Sequence, residues 1–124
     1  MVELLADTYA LFGLLEGNPR YRALFAHENV VTTPLNVVEV YAVLLRRVEK
    51  EKAREFADSC LALAVDVPGG AAIPAGEFRA QRAAAKKNCS HIDAWGYAAA
   101  RALGRKFLTG DEAFRGLSNV MFVK

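Results

Sequence analysis

Short apolar runs alternate along this chain with longer stretches in which apolar residues recur at helical spacing, and that alternation predicts its elements. Val2, Leu4 and Leu5 run into Ala6 and stop at Asp7, the pattern of a buried strand ending in a polar tip. Asn18-Pro19 interrupts the next stretch, so Thr8 to Glu16 and Arg20 to His27 read as two short helices or one broken one. Val30, Val31 and Thr32 form a second β-branched run, followed by Thr33 as an N-cap with Pro34 at the first helical position. Helices are expected from Leu35 to about Lys50 and from Lys52 to about Leu63. Ala64 to Val67 reads as a third strand ended by Pro68-Gly69-Gly70. A helix from Phe78 to Lys87 comes next, then one from about Ile92 to Leu103, capped by Ser90 and stopped by Gly104. Lys106 to Leu108 is a fourth strand, Gly110-Asp111 a turn, Ala113 to Arg115 a helical turn, and Val120 to Val123 a fifth strand. Strands alternating with helices imply an α/β chain with a parallel sheet covered on both faces, because parallel strands need crossover connections. Residues 1–124 are expected to form one domain, without repeats or linkers.

Composition narrows the class. With 53% hydrophobic and 24% charged residues the chain is too apolar for a disordered binder. The longest uncharged runs, 29–38 and 67–76, fall well short of the roughly 20 residues of a membrane-spanning helix, so no membrane association is expected. Glu3 and Asp7 stand where a secretory leader would be basic, and Cys60 and Cys89 have no metal-ligand spacing. A reduced, cytoplasmic protein is the expectation.

The charge is unevenly placed. Between Arg79 and Lys106 seven bases face the single acid Asp93, a net +6 that leaves −4 for the rest of a chain whose formal charge is +2. Such a segment suggests an anionic partner, with nucleic acid the obvious candidate, although bases also decorate solvated helix faces.

In a parallel sheet the ligand site lies beyond the carboxyl ends of the strands. Asp7 follows the first strand and Asp111 follows the fourth, so both belong to one edge. Glu39 is the only charge between Leu35 and Leu45, and at about 100° per residue it shares an arc with Asn36, Arg46, Arg47 and Lys50, interrupted by Val43. Asp93 lies in the first turn of its helix. Each acid also has a purely structural reading: Ser90 with Asp93, and Thr109 with Glu112, have capping-box spacing, and Glu39 fits a solvated stripe. Jointly, four carboxylates at one edge repel one another unless a cation neutralises them. Hard oxygen ligands with no His or Cys among them suit Mg²⁺ or Mn²⁺ better than zinc. His27 and His91 form no pair with each other or with a cysteine that suggests zinc binding or nucleophilic catalysis.

Leu-Leu-Ala-Asp7-Thr8, Asn36-Val-Val-Glu39-Val, Ser90-His-Ile-Asp93-Ala-Trp with Ala98 to Gly104, and Phe-Leu-Thr109-Gly-Asp111-Glu-Ala-Phe114 resemble, in order, the four motifs of PIN-domain nucleases, and most closely the VapC-type toxins of toxin–antitoxin pairs. The resemblance spans essentially the whole chain and implies a three-layer α/β/α fold with a five-stranded parallel sheet in order 3-2-1-4-5. It implies a metal-dependent endoribonuclease in which Asp7, Glu39, Asp93 and Asp111 hold Mg²⁺ or Mn²⁺. Thr8, Ser90 and Thr109 would then be hydroxyl residues beside the metal. A homodimer and a small antitoxin protein as partner are implied as well. Given an RNA substrate, Arg79, Arg82, Lys86 and Lys87 are placed before Asp93 to guide its backbone.

Two competing readings remain. Asp66-Val67-Pro68-Gly69-Gly70 superficially resembles the acceptor loop of receiver-type phosphoacceptor domains. Such domains have paired acids after the first strand and Lys-Pro after the last, whereas here Asp7 stands alone and Lys106 precedes Phe107. A non-catalytic PIN scaffold that binds RNA or protein is the other.

Overall fold

A computed structural model describes residues 1–124. Strand β1 (Glu3–Ala6) lies inside a parallel sheet, with β2 (Asn29–Val31) on one side, β3 (Lys106–Thr109) on the other, and β4 (Val120–Phe122) beyond β3. Helices α1 (Thr8–Leu15), α2 (Pro19–His27), α3 (Pro34–Leu44) and α4 (Lys50–Leu61) connect the first half, and α5 (Ala72–Ala84) and α6 (His91–Ala102) the second. No helix is long and apolar enough to cross a membrane.

The alternation of side chains along a strand creates the three layers. Leu4 and Leu108 point into one core with Leu11, Tyr21, Val40 and Leu44 of α1 to α3. Their neighbours Leu5 and Phe107 point into the opposite core with Tyr97, Ala99 and Ala100 of α6, against which Phe78 of α5 also packs. Leu4, Leu5 and Ala6 are all fully buried, so β1 is enclosed on both faces and by a strand on each edge.

The helix starts follow the expected local chemistry. Asn18 accepts from the Arg20 amide ahead of Pro19, and Thr33 accepts from the Asn36 amide ahead of Pro34. Ser90 and Asp93 form a reciprocal capping box, with each side chain accepting the other's amide at 3.0 Å. Gly104, at φ 67°, ends the helical stretch in the left-handed region that glycine adopts freely.

Three expectations need correction. The third strand shrinks to one parallel bridge between Thr32 and Ala64, held by Thr32 N–H to Leu63 O and Val65 N–H to Thr32 O. Pro68, which has no amide hydrogen, and the two glycines after it prevent the ladder from growing. The sheet therefore has four strands, in order β2-β1-β3-β4, with the bridge at the outer position expected for the missing one. Helix α5 begins at Ala72 instead of Phe78, because Pro74 falls in the first turn, where an amide donor is not needed. The long helix expected to reach Lys50 stops at Leu44, and a turn leads into α4.

Close approach of α6 to the sheet depends on Gly96. A methyl group there would stand 2.9 Å from Phe107 Cε1, tighter than carbon atoms tolerate. Gly96→Ala should therefore lower stability by about 1–3 kcal/mol in urea unfolding. Gly76→Ala, on an exposed part of α5 with nothing within 4 Å of the new methyl group, should be neutral or stabilising. Equal behaviour of the two variants would contradict the packing described.

Candidate functional site

The carboxyl ends of β1 and β3 open into a cleft of about 820 Å³. Asp7, Glu39, Asp93 and Asp111 all line it, each arriving from a different connection. Asp7 continues β1, donating its backbone N–H to Leu108 O at 3.1 Å, and its Oδ1 caps α1 by accepting from Ala10 N–H at 2.9 Å. Its Oδ2 accepts from the Thr109 hydroxyl at 2.5 Å, and that hydroxyl in turn accepts from the Asp111 amide at 3.1 Å. Asp93 is fixed by its capping box, and Asp111 caps a 3-10 turn (Glu112–Phe114) by accepting from Ala113 N–H at 3.0 Å. Glu39, half-buried on α3, makes no hydrogen bond through its side chain and is free to reach into the cleft.

Of Thr8, Ser90 and Thr109, Thr8 is the one that lines the cleft. Its oxygen accepts from Asn36 Nδ2 at 3.2 Å, and Asn36 Oδ1 accepts from the Thr33 hydroxyl at 2.7 Å. Asn36, which shares the Glu39 arc, is 1% exposed. A lone amide on an apolar helix was the available signal, because a buried amide must be hydrogen-bonded. Thr109 lies behind Asp7, fully buried, and Ser90 is exposed outside the cleft with its hydroxyl used in the cap. The alternative capping box of Thr109 with Glu112 does not form. Glu112 is instead exposed and paired with Arg115 at 2.7 Å and Lys124 at 3.2 Å, and those hydrogen bonds hold its carboxyl down at about 2.

The basic residues expected to guide a substrate stand apart from the cleft. Arg82 Nη2 donates to Ala113 O at 2.5 Å, with its guanidinium 5.9 Å from the Phe78 ring centre. Arg79 lines a separate groove with Leu35, His91 and Trp95, and Lys86 and Lys87 are exposed just beyond α5. The cation that does line the cleft is Arg47, in the turn just past the end of α3, with Val43 between it and Glu39. Asp66, the acid of the phosphoacceptor reading, is exposed and does not line the cleft.

Burial dominates the electrostatics of Asp7, which is 3% exposed. Loss of water pushes its carboxyl up to about 7, and the charges of Asp93 and Asp111 push the same way, against the hydrogen bonds from Thr109 and Ala10. No three acidic, histidine or cysteine side chains stand close enough to ligate one ion jointly. The carboxylates ring the cleft instead of meeting at a point. The donors that line the cleft are carboxylates with no His or Cys among them, a chemistry that suits a hard divalent cation better than zinc.

Residues 4–119 match the sequence model of the PIN domain. No curated protein matches the chain in sequence. Among solved structures, the fold is similar to that of VapBC2 from Rickettsia felis bound to a promoter DNA fragment, with TM-score 0.75 and 14% identity over 99% of this chain and 98% of that one. It is equally similar to the VapC20 toxin of Mycobacterium tuberculosis, a sarcin–ricin loop cleaving toxin, with TM-score 0.75 and 22% identity over 98% and 99% of the two chains. VapBC-1 of nontypeable Haemophilus influenzae gives TM-score 0.76 at 12% identity, over 100% and 98%.

The buried carboxyl has a consequence for stability. With its folded value raised from 3.8 to about 7, Asp7 keeps a proton that the unfolded chain releases. Stability must then fall as pH rises from about 4 to about 7, by at most roughly 1.4 kcal/mol per pH unit, and level off above. In chelator-treated protein, the melting temperature of Asp7→Asn should lack this component of the slope, since Asn caps α1 equally well and cannot ionise. Superimposable pH profiles for the two proteins would show that Asp7 is already ionised in the fold.

Proposed function

This chain belongs to the PIN-domain family, and on that premise we propose that it is a metal-dependent endoribonuclease, the toxin of a VapBC-type pair. The observation that carries the proposal is that four carboxylates, from four separate connections, line one cleft. Similarity of fold to toxin–antitoxin complexes is what supports a small antitoxin partner for this chain; an RNA substrate, a homodimer and action in the cytoplasm complete the proposal.

In this reading Asp7, Glu39, Asp93 and Asp111 hold Mg²⁺ or Mn²⁺. The ion, when bound, supplies a water of lowered pKa and neutralises the charge that builds on the phosphate in phosphodiester hydrolysis. The chain's own residues set the geometry. Thr109 and the α1 cap leave Asp7 no freedom to turn, while Asp93 and Asp111 each commit one oxygen to a cap and present the other. Of these four acids Glu39 is the one without such a restraint, and it would be suited to accept a proton from the attacking water. Thr8, held by Asn36, offers a hydroxyl at the cleft surface beside Asp7.

The test is cleavage of a mixed RNA pool with millimolar Mn²⁺. Asp93→Asn should keep the capping box through its amide oxygen, remain folded, and lose cleavage by at least a hundredfold, about 2.7 kcal/mol of transition-state stabilisation. Undiminished cleavage by the folded variant would refute the assignment. Binding of an ion among four acids also relieves their repulsion, so Mn²⁺ should raise the melting temperature of the wild type at pH 7.5. An unchanged melting temperature up to about 10 mM Mn²⁺ would count against the site.

A further inference from the structure

An acidic cleft is a poor landing place for a polyanion, so a nuclease of this shape needs cations where the strand enters or leaves. Arg47 is the basic residue that the cleft itself contains. It also lines a second depression of about 580 Å³, together with Arg46, Lys52 and Glu49 and the apolar side chains of Leu45 and Val48. Arg47 is thus the shared wall between the carboxylates and a surface with three bases and one acid, formed by the turn between α3 and α4. Neither Arg46, Arg47 nor Lys52 forms an ion pair. The Arg47 guanidinium lies 5.6 Å from the Phe12 ring centre, an arrangement that orients its plane while leaving its N–H groups unspent. Arg82, by contrast, is committed to Ala113 O.

Resting on the nuclease reading above, we propose that single-stranded RNA leaves the acidic cleft over Arg47 and runs into the Arg46–Lys52 depression, so that the α3–α4 turn is the phosphate-binding track. Arg47 takes a phosphate next to the scissile one, and Arg46 and Lys52 take those that follow. Leu45 and Val48, both more than two-fifths exposed, offer the sugars or bases apolar contact between them.

The experiment measures binding of a fluorescent mixed-sequence single-stranded RNA to the Asp93→Asn protein by anisotropy, across a range of salt concentrations. Each lost phosphate contact lowers the salt slope by about 0.7 for a single strand, so Arg47→Ala with Lys52→Ala should lower it by about 1.4 and weaken binding several-fold near 0.15 M salt. Lys86→Ala with Lys87→Ala is the competing track and should change the slope less. The reverse ranking, or an unaltered slope in the Arg47/Lys52 variant with a wild-type melting curve, overturns the proposal. Unchanged RNA affinity together with loss of a protein that co-purifies with the wild type would assign the turn to a protein partner and overturn it as well. Cleavage by the wild type with an inactive Asp93→Asn keeps the nuclease reading standing whichever way the slopes fall. A wild type that neither binds nor cuts RNA removes both.

Discussion

Everything in the site depends on a carboxylate held out of water at the end of an interior strand. Asp7 is almost fully buried because β1 is covered by a strand on each edge and a helical layer on each face, and the residue that ends such a strand inherits that enclosure. A carboxylate placed there without partners costs several kcal/mol. Two hydrogen bonds, from Ala10 and Thr109, reduce the cost without removing it, which is why the group is pushed up to about 7. Leu4 and Leu5 beside it are wholly buried, each contributing roughly 1.5–3 kcal/mol, so the strand that carries the unfavourable group also carries what offsets it.

The remaining acids reconcile two readings that looked exclusive. Asp93 and Asp111 are structural caps, yet a cap uses only one of a carboxylate's two oxygens. In Asp93 it is Oδ2 that meets the Ser90 amide, and in Asp111 it is Oδ1 that meets Ala113. The second oxygen has no protein partner in either, and both residues line the cleft. A helix start is therefore an economical way to aim a carboxylate, because the backbone fixes its rotamer while half its acceptor capacity stays open. The Thr109 hydroxyl extends the same logic by receiving from Asp111 and donating to Asp7, which ties two acids from different strands into one chain of hydrogen bonds.

Much of this was legible from local chemistry. The apolar run stopping at Asp7, the Thr33-Pro34 start, the Ser90 and Asp93 pair and the Gly104 stop each describe a few adjacent residues, and adjacent residues decide caps and turns. What failed depended on distance. The stretch around Ala64 had the composition of a strand but lacked a following segment able to donate to a ladder. The start of α5 lies at Ala72 instead of Phe78, because Pro74 fits its first turn, where no amide donor is needed. Asn36 has no legible role in the sequence because its partner Thr8 lies 28 residues away, on the neighbouring helix α1.

The basic segment shows why a count of charges along a chain is a weak guide to a surface. Of its seven bases, Arg105 reaches back to bond Leu4 O and Asn29 at the amino-terminal edge of the sheet, opposite the acids. Arg101 bonds the Tyr97 and Ser118 hydroxyls and stacks on the Tyr97 ring, and Arg82 bonds Ala113 O. Three long side chains that look like a landing strip for phosphates are thus spent satisfying carbonyls and hydroxyls, Arg105 on β1 and β2 and the other two on α6 and the segment between β3 and β4, a use for which the five donors of arginine are well suited. The cation in the cleft comes from the opposite half of the chain, whose net charge is negative, because a cleft samples whichever turn the packing delivers to it. Arg47 is delivered there by the early end of α3 and by Phe12 beneath it, both features of folding geometry that a running total of charge does not contain.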